Sequence, residues 1–384
     1  MIRIRKARLR EIVLPLEEPF HISGGSMAVR RSLIIELEDE RGRVGIGESA
    51  PFERPFYSDE TVTTAGQVLR ELLLPAVVGV AFTGVDAMHD ALEPIAPRSP
   101  MARAGVETAW WDLIAVDATS SLTHLVTDRF AQLGVPNDVT PAIRCGIAIG
   151  IPSEPDTEYL VARVRDAVKA GYHRIKVKVD REWHVDAVRA VQRALRGANA
   201  DVPITIDANG AFDPAADQSI LGALDQMGLL FVEQPFAADQ TAALIELANT
   251  LTTPVCLDET LVDEPTARAL GKEPGNWVWN IKVQRVGGLE PACRIAAMGH
   301  DAGIPMWIGT MPESGIGAQA ALALAAHEVF SLPTDVEPSD RWYVPGSDLV
   351  ELTMRTNGTM AVPDQRPDVA VTRAPLVFEL DALG

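Results

Sequence analysis

The sequence predicts a closed β/α barrel standing behind an N-terminal α+β domain, and three observations predict it. Past position 140, short apolar runs and amphipathic stretches alternate over about 200 residues, the pattern of parallel strands with helical crossovers. Five of those runs end in a residue able to do chemistry, at steps close to one βα unit. The steps are 29 residues from Lys178 to Asp207, then 26 to Glu233, 25 to Asp258 and 24 to Lys282. Five consecutive strand ends meet at one place only if the sheet closes, because an open sheet gathers its ligand at a single switch point.

Residues 1 to about 50 read as strands. Ile2, Ile4, Ala7 and Leu9 begin one, and Ser32-Leu33-Ile34-Ile35-Glu36-Leu37 forms another. Ser23-Gly24-Gly25-Ser26 and Glu40-Arg41-Gly42-Arg43 supply the turns between them. From about 60 to 130 the period becomes helical, with Ala102, Val106, Ala109 and Leu113 on one face. Barrel strands are expected at 143–149, 175–179, 203–206, 229–232, 254–257, 277–282 and 305–308, with helices between them. The less regular C-terminus carries a strand-like Leu376-Val377-Phe378 and is expected to fold back on the first domain. The expected divisions are a capping domain at 1–135, the barrel at 136–345 and the returning segment at 346–384.

Composition narrows the class. Hydrophobic residues at 47% and charged residues at 23% suit a globular chain with a sizeable core. A net charge of -19, with no dense Lys/Arg cluster, argues against nucleic-acid and membrane partners. Cys145, Cys256 and Cys293 are far apart and form no CxxC pair. A disulfide framework or zinc site is therefore not expected, and a reducing cytoplasm is. No signal peptide and no membrane-length apolar run is seen, so a cytoplasmic protein is expected.

Counting 143–149 as the first strand, Lys178 lies on the second and Lys282 on the sixth. Strands four apart face each other across an eight-stranded barrel. Asp207, Glu233 and Asp258 fill the arc between the two lysines. Singly, such residues are usually solvated or capping groups; five in one register make a site. Three converging carboxylates repel unless a cation neutralises them. Oxygen-only ligation selects a hard ion, magnesium in the first place and manganese as the alternative. A small-molecule carboxylate bound there would have the charge that develops on loss of its α-proton stabilised.

The base must be a neutral lysine, against an ordinary pKa of about 10.4. Alternation turns Lys176 and Lys178 to one face of their strand, where each is expected to lower the other's pKa against the pull of the carboxylates. Lys178, nearer the mouth, is the expected base, and Lys176 its tuner or a contact to the substrate carboxylate. Proton transfer by both facing lysines gives racemisation or epimerisation. If one stays a cation, β-elimination or cycloisomerisation follows.

Lys176-Val177-Lys178, Asp207-Ala208-Asn209-Gly210-Ala211, Val232-Glu233-Gln234-Pro235, Leu257-Asp258-Glu259-Thr260 and Asn280-Ile281-Lys282 resemble the muconate lactonizing branch of the enolase superfamily. Arg285-Val286-Gly287-Gly288, Met311-Pro312-Glu313-Ser314-Gly315, Met101-Ala102-Arg103-Ala104 and Ser339-Asp340-Arg341-Trp342-Tyr343 are similar, within it, to the o-succinylbenzoate synthase/N-succinylamino acid racemase family. The resemblance covers nearly the whole chain. It implies an α/β fold, a modified TIM barrel (β/α)7β with an N-terminal α+β capping domain, and a homo-oligomer. It also implies magnesium-dependent abstraction of a proton α to a carboxylate through an enediolate. The reaction would be that of o-succinylbenzoate synthase, of N-acylamino acid racemase, or of both. A muconate-type cycloisomerase and a dipeptide epimerase are alternatives, and a non-catalytic ligand-binding barrel is a reading of another class.

Substrate contacts are then expected at Lys176, Asn209, Glu259, Thr310, Met311 and Glu313. The aromatic turn segments around Phe20, His21 and Phe56 are expected to form a lid. Three positions depart from the family pattern: Ala148 where a serine is common, Asp180-Arg181-Glu182-Trp183 for a Pro-Gly turn, and Gly309-Thr310-Met311 for Gly-Gly-Met. Glu313 without an Asp-x-Asp pair speaks against the dipeptide epimerase.

Overall fold

The computed structural model describes residues 1–382 apart from 23, 24, 56, 153, 155 and 370. The chain opens with three antiparallel strands, β1 (Ile2–Ile22), β2 (Gly25–Asp39) and β3 (Val44–Ser49). In β1 the buried face runs Ile2, Ile4, then Ala7 and Leu9. The change of parity coincides with a register shift against β2 between Ile4 and Lys6, a bulge that re-aims the strand. Helix α1 (Pro100–Ala118) crosses this sheet and buries Ala102, Val106, Ala109 and Leu113, the face its spacing predicts. The approach is close: a Cβ on Gly47 would stand 2.3 Å from the Gly105 carbonyl oxygen.

Seven parallel strands follow: β4 (Gly146–Ile149), β5 (Arg174–Lys178), β6 (Ile204–Asp207), β7 (Phe231–Glu233), β8 (Val255–Leu257), β9 (Trp277–Ile281) and β10 (Met306–Ile308). They pair in sequence order, each followed by a helix on the outside, from α2 (Thr157–Ala170) to α3 (Gly315–Ala325). The gap between β10 and β4 is bridged by a very short segment. Gly146 N donates to Thr334 O (2.7 Å), Thr334 N to Arg144 O (3.0 Å) and Asp335 N to Ile308 O (3.2 Å). Seven βα units and this closing segment make the modified (β/α)7β barrel.

The expected strand at 143–149 divides in two. Ile143–Arg144 pairs antiparallel with Thr359–Met360, and only β4 joins the barrel. Cys145 marks the change, its N–H going to Gly358 O (3.0 Å). One apolar run thus serves two sheets, a difference that hydrophobic periodicity does not encode. At the far end, β11 (Leu376–Asp381) pairs with β1, Leu9 lying opposite Phe378.

Inside the barrel, alternation stacks side chains in layers. Outward residues such as Ile175, Val177, Ile206 and Val232 join the main core beneath the helices. The inward floor is a separate apolar cluster of Phe231, Cys256, Val278 and Trp307. No helix among the described residues is long and apolar enough to cross a membrane.

Candidate active site

β5 carries Arg174, Lys176 and Lys178 on its inward face, rising from floor to mouth. Arg174 lies with its guanidinium 4.1 Å from the Trp307 ring centroid and pairs with Asp335. Lys176, one layer up, reaches Glu233 (3.1 Å) and Asp207 (3.6 Å) and also pairs with Asp335. At the mouth Lys178 donates to Asp207 Oδ2 (2.5 Å) and Asn209 Oδ1 (2.8 Å). Across the arc Lys282 donates to Asp258 Oδ2 (2.9 Å). Asp258 also accepts from Arg285 and from the Tyr57 hydroxyl (2.8 Å).

Asp207, Glu233 and Asp258 are fully buried, and one oxygen of each lies within 4.8 Å of the other two. Gln234 holds the cluster in shape, its Oε1 accepting from Asp258 N (3.0 Å) and Thr260 N (3.1 Å). Asn280 Nδ2 fixes the second oxygen of Glu233 (2.8 Å). Three converging carboxylates with no nitrogen or sulfur donor fit a hard divalent cation.

Charge is distributed unevenly around this cluster. Burial, with Asp207 and Asp258 beside it, pushes the Glu233 carboxyl up. Burial acts the same way on Asp258, but Lys282 and Arg285 outweigh it and hold that carboxyl below the usual range. Burial works to lower Lys282, and Asp258 and Tyr57 hold it above its ordinary value instead. The expectation that Lys176 is drawn toward neutrality is corrected. Burial does oppose its charge, but Asp335, Glu233 and Asp207 prevail and raise it well above an ordinary lysine. Three carboxylates outweigh one neighbouring cation.

Both mouth lysines line one cavity of about 50 Å³, with Asn209, Thr310 and Met311 on the barrel side and Phe20, Phe52 and Tyr57 on the cap side. Three expected substrate contacts and one expected lid residue do not line it. Lys176 is buried beneath it, and Glu259 lies behind Asn209, accepting from its Nδ2 (2.8 Å). Glu313 turns back on its own loop, its Oε2 accepting from Met311 N (3.0 Å). His21 lines a separate outer cleft of about 660 Å³, which shares Phe20 with the lysine cavity. Phe56 lies outside the described residues.

Sequence reasoning missed Tyr57, Arg285, Asn280 and Asp335 as members of this cluster. Tyr57 adjoins the chosen Phe56, and Arg285 and Asn280 stand in quoted motifs, so a signal existed for those three. Asp335 sits in the closing segment, where no strand pattern points to it. It also forms, with Glu337, a carboxylate pair two residues apart. Asp335 is matched by Arg174 and Lys176, whereas burial pushes the Glu337 carboxyl up to about 7 although Arg341 lies 3.2 Å away.

Gly287 and Gly288 show why the segment after Lys282 is glycine-rich. A Cβ on Gly288 would meet Glu107 of α1 at 2.3 Å, and Glu107 accepts from Leu289 N and Glu290 N (2.8 Å each). The cap helix docks on the barrel just beyond Lys282.

The chain is similar to known proteins in sequence and fold. Residues 4–127 match the mandelate racemase/muconate lactonizing enzyme N-terminal domain, and residues 159–367 match the enolase C-terminal domain-like family. The chain is 34% identical to an o-succinylbenzoate synthase of Geobacillus kaustophilus over 94% of its own length and 92% of that protein. It is also 34% identical to an N-succinylamino acid racemase of Thermus thermophilus, over 94% of its length and 93% of the relative's. A crystal structure of an enolase superfamily member from Listeria innocua superposes with a TM-score of 0.88 at 28% identity, covering 99% of both chains. The chain belongs to the mandelate racemase/muconate lactonizing enzyme family, and is an enzyme of the enolase superfamily.

Proposed function

We propose that the protein removes the proton α to a substrate carboxylate between Lys178 and Lys282, as an N-acylamino acid racemase, an o-succinylbenzoate synthase, or both. The observation that carries this reading is the pair of amines at the two ends of one carboxylate cluster, lining one cavity. The relatives named as synthase and racemase support it. Magnesium held by Asp207, Glu233 and Asp258 would supply the Lewis-acid stabilisation that a developing enediolate needs. Carboxylates committed to a cation pull less on the lysines, the direction a base requires. Lys178 Nζ then takes the proton from one face of the α-carbon. Lys282 Nζ returns one to the other face, or stays an ammonium while a leaving group departs.

The lysine cavity is small for an acylamino acid, and the outer cleft gives room for the remote part of the substrate once Phe20 swings aside. Asp335 is committed to Arg174 and Lys176, which leaves no free carboxylate pair for a dipeptide ammonium, so the epimerase alternative gains no support there.

The test is incubation with magnesium and N-succinyl or N-acetyl amino acids in deuterium oxide, following α-proton exchange by NMR. Exchange with loss of optical rotation is the racemase result. Turnover of the cyclohexadiene precursor without such exchange is the synthase result. Inactivity toward both would sink the proposal.

A further inference from the structure

Arg30, in the middle of β2, is 1% exposed, and no carboxylate among the described residues stands within ion-pair distance of it. Its guanidinium donates to main-chain carbonyls instead. Nε reaches Pro312 O (2.9 Å), Nη1 reaches Pro51 O (2.6 Å) and Arg31 O (2.9 Å), and Nη2 reaches Ala50 O. The same group lies 4.8 Å from the centroid of the Phe52 ring. The Tyr343 hydroxyl, from the C-terminal side, adds a second donor to Pro312 O (2.9 Å).

These acceptors belong to two separate walls of the lysine cavity. Pro51 leads into Phe52, which stands edge-on to Tyr57 at 6.2 Å between centroids, and Tyr57 bonds Asp258. Pro312 follows Thr310 and Met311 on the barrel side of the same cavity. A buried charge hydrogen-bonded to carbonyls with no carboxylate in ion-pair contact is a weak stabilising device, since an apolar residue of similar volume avoids its desolvation. A rigid planar fork of donors is, however, the side chain that can hold several carbonyls at fixed separations.

We propose that Arg30 is a positioning residue: its guanidinium sets the distance between the Phe52 wall and the Met311 wall, and so determines which substrate side chains the cavity admits. The assignment of a substrate rests on the proton-transfer reading of the same cavity.

The test compares Arg30→Lys, which keeps the charge and loses the fork, with the unaltered enzyme on N-succinyl-alanine and N-succinyl-phenylalanine. The ratio of their kcat/KM values is expected to shift by about tenfold or more, with kcat reduced up to about 100-fold. Magnesium affinity is expected to stay unchanged, because no carboxylate of the cluster touches Arg30. Tyr343→Phe removes the second donor to Pro312 O and is expected to shift the ratio the same way by less. A lower melting temperature with an unaltered ratio in both variants would overturn the proposal.

If the unaltered enzyme exchanges no acylamino acid, either because it is a synthase alone or because the proposed function falls, the tie is read without substrate. Amide hydrogen exchange in Arg30→Lys is then expected to quicken in 50–57 and 308–314 but not in 204–209. Equal protection in all three segments would refute it.

Discussion

The two halves of the site wall are built on different principles. The half carried by strands β5 to β9 is dense in charge, and each ionic group there has an opposite charge or hydrogen-bond partner close by: Lys178 with Asp207, Lys282 with Asp258, Lys176 with Glu233. The half carried by loops is mostly apolar, with Phe20, Phe52 and Met311 facing the lysines. Moving a strand residue breaks ladder bonds on both sides, whereas a loop can be reshaped without touching the ladder. Proton chemistry therefore belongs to the first half and selection among substrates to the second. Substitutions on each side test that division.

The largest effects are expected on the strand half. Lys178→Ala and Lys282→Ala should each lower α-proton exchange by about 10²–10⁴-fold, without loss of magnesium binding measured calorimetrically. Exchange within tenfold of the unaltered rate in either variant would break the division outright. Asp207→Asn should fail to bind magnesium in the same titration, and chelation should silence the unaltered enzyme until magnesium is restored.

Tyr57 belongs to both halves, since it reaches from a loop to Asp258. Tyr57→Phe removes one hydrogen bond to a charged group, a loss of about 1.5–3 kcal/mol, and kcat/KM should fall about tenfold or more. On the loop half proper, Thr310→Gly frees space in the cavity of about 50 Å³. It should raise the relative kcat/KM of bulky acylamino acids over small ones, with the absolute rate on small ones changed less than about tenfold.

The smallest effect concerns stability. Burial, with Glu48 near, pushes the Glu313 carboxyl up to about 7, against about 4.3 in an unfolded chain. The unfolded state gives up this proton first. The group's contribution to stability is therefore full below about pH 4 and lost as pH rises through 7. Glu313→Gln cannot titrate, so the melting temperature of the unaltered protein relative to this variant should fall between about pH 4 and 7. A difference independent of pH would show that Glu313 stays ionised in its loop.

What was legible in the sequence follows the same boundary. Lys178, Asp207, Glu233, Asp258 and Lys282 were readable because period-two alternation and the βα repeat fix both face and height. Lys176 was placed on the correct face, but its surroundings were misjudged, since the carboxylates around it come from three other segments. Arg30 looked like any arginine on a strand; its acceptor at Pro312 lies 282 residues away and is a carbonyl, which every residue has. Asp335 was hidden because a barrel seam of so few residues leaves no periodicity to read. Loop contacts such as those of Glu313 depend on local chain reversal, which composition does not dictate.

The pairing of β1 with β11 sets an order of events for synthesis. Lys6 lies opposite Asp381, so β1 leaves the ribosome about 370 residues before the partner that covers its second edge. Until then β1, β2 and β3 can form only a meander whose β1 edge lies open over Lys6–Arg10, next to a barrel whose seam at 334–335 also arrives late. A nascent chain of this design exposes strand edges for most of its synthesis, and the charged residues along β1, from Arg3 to Arg10, stand where they guard that edge.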